Sequence, residues 1–276
     1  MSRLTIKDIQ NLKHKRKITM LTAYDYPFAA LVDRAGIDLV LVGDSLANVV
    51  LGLESTKEVG VNDLIYHAKA VSRGVKSAII VADMPFEAYQ PDPALSLPNA
   101  RRFIEEAGCD AVKIEWFERC LEAVKPVVQA GIPVMGHIGL TPQTADALGG
   151  FKVQGKDAES AARLFDQARA LEAAGCFSLV LECVPAEVAA MISERAAIPV
   201  IGIGAGVSCD GQVLVLHDML GLFDRYRPKF VKTYLNLSEL VTEALKKYRD
   251  EVAAGTFPDE RHSFSISESE LKKLRR

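Results

Sequence analysis

Long apolar runs, a leader-like N-terminus, paired cysteines and a dominant charge sign are all missing from this 276-residue chain. No apolar stretch approaches the ~18 residues needed to span a bilayer. The opening residues, MSRLTIKDIQNLK, contain no apolar segment of signal-peptide type, so a cytoplasmic protein is expected. The five cysteines (Cys109, Cys120, Cys176, Cys183 and Cys209) are odd in number and form no CxxC pair. That argues against structural disulfides and for a reducing compartment. With 33 Lys and Arg against 36 Asp and Glu, a net charge of −3 gives no electrostatic case for nucleic acid or an anionic membrane. The Lys/Arg-rich piece HKRK, His14 to Lys17, is short and precedes an apolar run, so it reads as a solvated face. No linker is long enough to argue for a second domain.

What is present is an ordinary globular balance, 49% hydrophobic and 25% charged, with enough length for one large core. Several segments share one grammar, a helical pattern, a stop such as Ala-Gly, then a short apolar run: AGIDLVLVGDS, AGCDAVKIEW, AGIPVMGHIG, AGCFSLVLEC and AAIPVIGIGAG. Glycine just past a helix takes the left-handed position there, and the β-branched run after it suits a buried parallel strand. Strands are predicted near 18–23, 38–43, 77–82, 111–115, 133–137, 178–182, 199–203 and 229–234. Between most of them lie amphipathic helices such as Asp157 to Ala174. Eight such units predict an α/β chain folded as a (β/α)8 TIM barrel, with an open doubly wound sheet as the alternative. The first twelve or so residues read as an extra N-terminal helix. The barrel is expected to occupy 1–264 as a single catalytic domain, and 265–276 a polar C-terminal extension.

In a barrel of this kind the active site lies at the C-terminal ends of the strands. The residues at the end of each apolar run are therefore informative: Tyr24 and Asp25, then Asp44 and Ser45, Asp83, Lys113 and Glu115, His137, Glu182, and the glycines of IGIGAG. Carboxylates gathered at one mouth repel unless a cation or protonation relieves them. Oxygen ligands favour a hard divalent ion, Mg²⁺ before Mn²⁺, whereas zinc would favour more His or Cys. Lys113 and Glu115 are two apart and share a strand face, so Lys113 either anchors an anionic substrate or serves as a Schiff-base amine. Glu182 stands among apolar residues, an environment that raises a carboxylate's proton affinity and makes a general base. Each residue also has an ordinary reading. Asp25 suits a turn and Asp44 a helix cap, Asp83 a loop and Glu115 a solvated rim, while His137 suits the core. The IGIGAG glycines could cradle a phosphate, or only allow close backbone approach.

Many motifs in order resemble those of the ketopantoate hydroxymethyltransferase family. They are TAYDY (Thr22–Tyr26), VGDSL (Val42–Leu46), IYHAKAV (Ile65–Val71), VADMPF (Val81–Phe86), VKIE (Val112–Glu115) and GHIGLTPQ (Gly136–Gln143). GGFKVQGK at 149–156, LVLECVP (Leu179–Pro185), IPVIGIGAG (Ile198–Gly206), DGQVLVLHD (Asp210–Asp218), PKFVK (Pro228–Lys232) and FPDERHSF (Phe257–Phe264) continue the series. The resemblance implies transfer of a hydroxymethyl group from 5,10-methylenetetrahydrofolate to the keto acid 3-methyl-2-oxobutanoate, giving 2-dehydropantoate for pantothenate synthesis. It implies Mg²⁺ at Asp44, Asp83 and Glu115, keto-acid binding by Asp44, Ser45, Asp83 and Lys113, and Glu182 as proton acceptor. It also implies a homo-oligomer, a decamer of two pentamers. On physical grounds His137 is expected to hydrogen-bond a metal-bound water or carboxylate from behind. The chain departs from the family at Trp116 and Phe117, bulky rings that must point away or narrow the mouth, and in the charged loop GLESTKEVGVND. Two enzymatic rivals are a Schiff-base aldolase using Lys113 and a Mg²⁺-dependent carbon–carbon lyase of the isocitrate-lyase type. A third reading is a barrel that kept its assembly and lost activity.

Overall fold

Successive strand residues point to opposite faces, so a strand enclosed on both sides must be apolar at every position and sorts its side chains into two cores. The computed structural model, which describes residues 3–145, 150, 152–223, 225 and 227–274, shows that sorting. Helix α1 (Ile6–Leu12) precedes β1 (Ile18–Thr22), α2 (Tyr26–Arg34), β2 (Leu39–Val42), α3 (Leu46–Val49), α4 (Val61–Gly74), β3 (Ile79–Asp83) and α5 (Ser96–Glu105). Next come β4 (Ala111–Glu115), α6 (Cys120–Gln129), β5 (Val134–Gly139), α7 (Ala158–Ala173), β6 (Ser178–Glu182), α8 (Ala186–Arg195) and β7 (Val200–Ile203). The chain ends through β8 (Gly211–Leu214), α9 (Leu216–Met219), α10 (Leu237–Ala253) and α11 (Glu268–Leu274). The strands pair in parallel in chain order, and β8 returns to β1 with Gly211 opposite Ile18, a closed eight-stranded barrel.

Met20, Leu41, Val81, Met135, Val180 and Ile203 face inward and form one buried cluster. Val40, Ile80, Val112, Leu179 and Val200, the alternate positions, face outward and pack beneath the helices. Continuing the inward register to the strand ends places Asp83, Lys113, Glu115, His137 and Glu182 on the inner face. Apolar residues thus fill the barrel, and charged ones cap it at the C-terminal end.

The N-terminal helix is present as α1, held by a capping box between Thr5 and Asp8. Its Ile9 is fully buried with Ile18, Leu39 and Ile79, so α1 plugs the N-terminal end of the barrel. Seven strands lie where the sequence predicts them, within two residues at each end; the eighth does not. The 229–234 segment is turn and irregular chain, and β8 is the four-residue GQVL further upstream. A Cβ at Gly211 would sit 2.5 Å from the Ile18 carbonyl oxygen and 2.7 Å from Ile201 Cδ1, so the seam closes only around a bare backbone. PKFVK instead crosses the barrel mouth, where the Phe230 ring covers Gly204 (φ +62°); a Cβ there would lie 2.7 Å from that ring. An aromatic side chain therefore occupies that face of the IGIGAG loop, in place of a phosphate.

No helix of the described residues is long and apolar enough to cross a membrane. All five cysteines are unpaired. Gly149 and Phe151 of the GGFKVQGK motif, and the last two residues of the expected extension, lie outside the described residues.

Candidate active site

A cavity of about 680 Å³ opens at the C-terminal ends of the strands, and all the predicted residues (Asp44, Ser45, Asp83, Lys113, Glu115, His137 and Glu182) line it. At its floor five ionisable side chains, Asp44, Asp83, Lys113, Glu115 and His137, are almost wholly buried. The Lys113 ammonium lies 2.6 Å from Asp83 Oδ1 and 3.8 Å from Glu115 Oε1. His137 bridges two carboxylates, with Nδ1 3.2 Å from Glu115 Oε1 and Nε2 3.4 Å from Glu182 Oε2. Lys113 Nζ also stands 3.2 Å from His137 Nδ1.

Asp44 comes after β2 and is not a helix cap. Its side chain accepts a 2.9 Å hydrogen bond from Gln143 Nε2, and its backbone N–H donates to Asp83 Oδ2 at 3.1 Å. Burial, then repulsion from Asp83 and Glu115, pushes its carboxyl well above the usual carboxylate range. Burial also raises Asp83, against the opposing pull of Lys113. Glu115 goes the other way: burial is outweighed by hydrogen bonding to His137 and the positive charges of His137 and Lys113, so it stays ionised. His137 is pushed up to about 9, because its two carboxylate neighbours prevail over burial and Lys113. For Lys113 burial alone would favour the neutral amine, but Asp83, Glu115 and Asp44 hold it firmly protonated. An ammonium so held suits anchoring an anion better than attacking a carbonyl as a free amine.

With Lys113 and His137 charged, Asp44, Asp83, Glu115 and Glu182 still leave the site two negative charges in excess when all are ionised. Asp83 Oδ1 and Glu115 Oε1 meet only the charged Lys113 and His137 side chains already described. Hard oxygen donors with spare lone pairs and too little positive charge suit a divalent cation. As the side chains stand, the Lys113 ammonium interleaves the carboxylates, and among the described residues no three His, Cys, Asp or Glu side chains form a ready ligand group.

The other predicted residues have definite places. Ser45 lines the cavity, its Oγ 2.8 Å from the buried Tyr24 hydroxyl. Asp25 caps α2 by accepting from the Phe28 N–H at 2.8 Å, the turn role expected of it. Trp116 and Phe117 point away from the mouth. Both pack on the outer core, and Phe117 meets Tyr89 edge-on at 5.5 Å.

Sequence reasoning missed Gln143. This fully buried residue donates from Nε2 to Asp44 and to the Met84 carbonyl, and from its backbone N–H to Glu115 Oε2 at 3.1 Å. Its Oε1 accepts from the Tyr89 hydroxyl at 2.7 Å, and that hydroxyl accepts from the Glu115 N–H. One residue thus ties two of the carboxylates to the scaffold, Asp44 by its side-chain amide and Glu115 by its backbone N–H. Its only signal is its place at the end of GHIGLTPQ. Asp218, from DGQVLVLHD, was also passed over, yet it lines the cavity.

Residues 3–260 match the family model described as ketopantoate hydroxymethyltransferase. A 3-methyl-2-oxobutanoate hydroxymethyltransferase of Syntrophomonas wolfei subsp. wolfei is 54% identical over 99% of this chain and 100% of its own. One from Moorella thermoacetica is 54% identical over 95% of this chain and 98% of its own. Among solved structures, a phosphoenolpyruvate phosphomutase from Streptomyces platensis subsp. rosaceus superposes with a TM-score of 0.61 at 15% identity, covering 99% of this chain and 95% of that one. A 2,3-dimethylmalate lyase of the PEP mutase/isocitrate lyase superfamily gives 0.58 at 16%, covering 99% and 98%. At those identities the structural likeness speaks for the barrel alone.

Proposed function

The chain belongs to the ketopantoate hydroxymethyltransferase family and is an enzyme of that activity; from that premise we propose that it uses 5,10-methylenetetrahydrofolate as donor and works by enolising 3-methyl-2-oxobutanoate with Glu182 as the base. The observation that carries this reading is the placing of Glu182. It stands at the inner end of β6, is only 17% exposed, and faces His137 across the cavity that holds the Asp83–Lys113 pair.

Lys113 and Ser45 anchor the keto acid's carboxylate. Asp44, Asp83 and Glu115 are the residues that would hold Mg²⁺, which supplies positive charge to the substrate's keto oxygen. Glu182 takes the proton from C3, and the C3–H electron pair becomes the enolate double bond. C3 then forms the bond to the donor's one-carbon unit. One water supplies the new hydroxyl, and its remaining proton together with the one taken by Glu182 goes to the two folate nitrogens that lose the carbon. His137, held between Glu115 and Glu182, keeps both carboxylates oriented. A homo-oligomer is part of the same proposal, and α10 supports it. Val241, Leu245, Tyr248 and Val252 form an exposed stripe spaced four, three and four residues apart, and no residue of that helix is buried.

The test is proton exchange. Wild-type protein with 3-methyl-2-oxobutanoate and Mg²⁺ in D₂O loses the C3 proton signal by NMR, a chelator stops the loss, and Glu182→Gln slows it by about 10²-fold or more. Exchange at the wild-type rate in Glu182→Gln removes the base. Silence in wild type even with tetrahydrofolate present removes enolisation of this substrate.

A further inference from the structure

The cavity is much larger than a five-carbon keto acid requires. Its volume of about 680 Å³ sits among sites for drug-sized ligands. Beyond the charged floor its walls turn apolar, with Leu53 from the loop after β2, Val215 after β8, and the Phe230 ring at the mouth. Four charged residues interrupt those walls: Glu54, Lys57, Asp218 and Arg225. Arg225 is at the rim with its side chain 54% exposed; its Nη1 donates to the Gly52 carbonyl at 2.9 Å and lies 3.7 Å from the solvated Glu54 carboxylate. Asp218 is half-buried, and its carboxylate accepts no hydrogen bond from another described residue. A carboxylate partly withdrawn from water with no donor among the described residues is a cost that folding does not explain. It is an acceptor pair waiting for donors, and it repels an anionic ligand part.

Resting on the folate donor proposed above, we infer that Asp218 binds the 2-amino-4-oxo edge of the donor's pterin ring, which lies against these apolar walls. That edge presents two parallel donors, the ring N3–H and the 2-amino group. They match two carboxylate oxygens as a guanidinium does. The pterin faces are flat and apolar, like the wall formed by Leu53, Val215 and Phe230. The polarity of the cavity, carboxylate inside and Arg225 at the rim, runs parallel to that of a folate, with a donor edge at one end and carboxylates on the tail. Burial raises Asp218 to about 6, with Arg227 opposing; at neutral pH it is mostly ionised and competent to accept both bonds.

The experiment crosses two donors with two proteins. Donor kcat/KM is measured at saturating keto acid for 5,10-methylenetetrahydrofolate and for its 2-desamino analogue, with wild type and with Asp218→Asn. Wild type prefers the natural donor by about 10- to 100-fold, the loss expected when a charge-assisted pair is left incomplete. Asp218→Asn loses a similar factor on the natural donor and discriminates less than about threefold, because one interaction cannot be removed twice. The KM for the keto acid stays put. Equal discrimination by both proteins, or a penalty that falls on the keto acid, overturns the assignment. If Asp218→Asn melts well below wild type, the wild-type preference between donors decides alone. If wild type makes no product from either donor, the proposed reaction fails separately. Calorimetric binding of tetrahydrofolate to the two proteins then judges Asp218, equal affinity refuting it.

Discussion

Gln143→Met keeps the length of the side chain and removes every hydrogen bond its amide makes. Three buried groups, Asp44 Oδ2, the Met84 carbonyl and the Tyr89 hydroxyl, lose a partner, as does the half-buried Gln90 side-chain amide. Each buried polar group left unsatisfied costs about 1–3 kcal/mol. Taking the low end for all three, because Asp44 and Tyr89 keep other contacts, the variant should lose about 3 kcal/mol. For a chain of this size that is a fall in Tm of about 6–12 °C. The chemical consequence is separate, since Asp44 is then free to swing while Glu115 is still held by the Gln143 backbone N–H. Activity should fall by about 10²-fold, the scale of a misplaced charged group at a reacting centre. Gln143→Glu should be worse for activity at neutral pH, because it sets a carboxylate where the amide now donates to Asp44 at 2.9 Å. Scanning calorimetry with steady-state kinetics reads both effects. A Tm within 2 °C of wild type and an unchanged kcat in Gln143→Met would refute the view that this amide holds the site's geometry.

Two further predictions concern the scaffold. Asp38 is buried and accepts from both Arg16 guanidinium nitrogens at 2.8 and 2.6 Å, and from the Thr19 N–H and hydroxyl at 2.9 Å each. Burial raises its proton affinity, but these donors prevail and hold it below its ordinary value. Its contribution is therefore complete above the unfolded value of about 3.9 and disappears as pH falls through the folded one. Asp38→Asn should cost about 1–3 kcal/mol at pH 7. The Tm gap between the two proteins should close below pH ~4; a gap constant from pH 7 to 3 contradicts the pairing. Gly211→Ala places a methyl group 2.5 Å from the Ile18 carbonyl oxygen at the barrel seam. It should cost about 1–3 kcal/mol or more, read as a Tm lower by several degrees. An unchanged Tm would mean the seam is not tight.

How far the sequence could be read depends on which signal each part carries. Five strands, β2, β4, β5, β6 and β7, announce themselves as apolar runs after a helix stop, and β1 and β3 by their apolar runs alone; burial on both faces leaves β2 to β7 little choice but small, β-branched and aliphatic residues below their charged ends. β8 escapes that rule: it is four residues long, starts with Gly211, and carries an exposed Gln212 on its outer face where no helix covers it. PKFVK looks more like a strand by composition, yet it serves as a lid whose Phe230 needs the bare face of Gly204. In the site, charge was the visible signal, so Asp44, Asp83, Lys113, Glu115, His137 and Glu182 stood out at the strand ends. Gln143 carries no charge and lies in a short turn, and only its partners in space give it meaning. Asp218 was hidden by the same rule that revealed the others, since it falls after a strand the sequence did not mark. Trp116 and Phe117 were the reverse, conspicuous by size and placed where they do not touch the cavity.

The charged floor also shows which of its properties stability can explain. Replacing a buried ion pair by well-packed apolar residues is often neutral or stabilising, whereas removing one partner leaves a costly lone charge. The inward layer just beneath it, Met135, Val180 and Ile203, shows that this barrel fills its interior readily with apolar side chains. A fold seeking stability alone could extend that layer upward through the positions of Asp83, Lys113, Glu115 and His137. It keeps an unbalanced cluster instead. Burial and mutual repulsion raise Asp44 and Asp83, the lysine is locked as a cation, and a histidine is trapped between two carboxylates. Under the proposed function such a site gains from binding: a divalent cation would relieve the repulsion, and an anionic keto acid would meet the ammonium already in place. In the proposed reaction, the energy withheld from folding here would go to binding substrate and to holding charge as it develops on the keto oxygen.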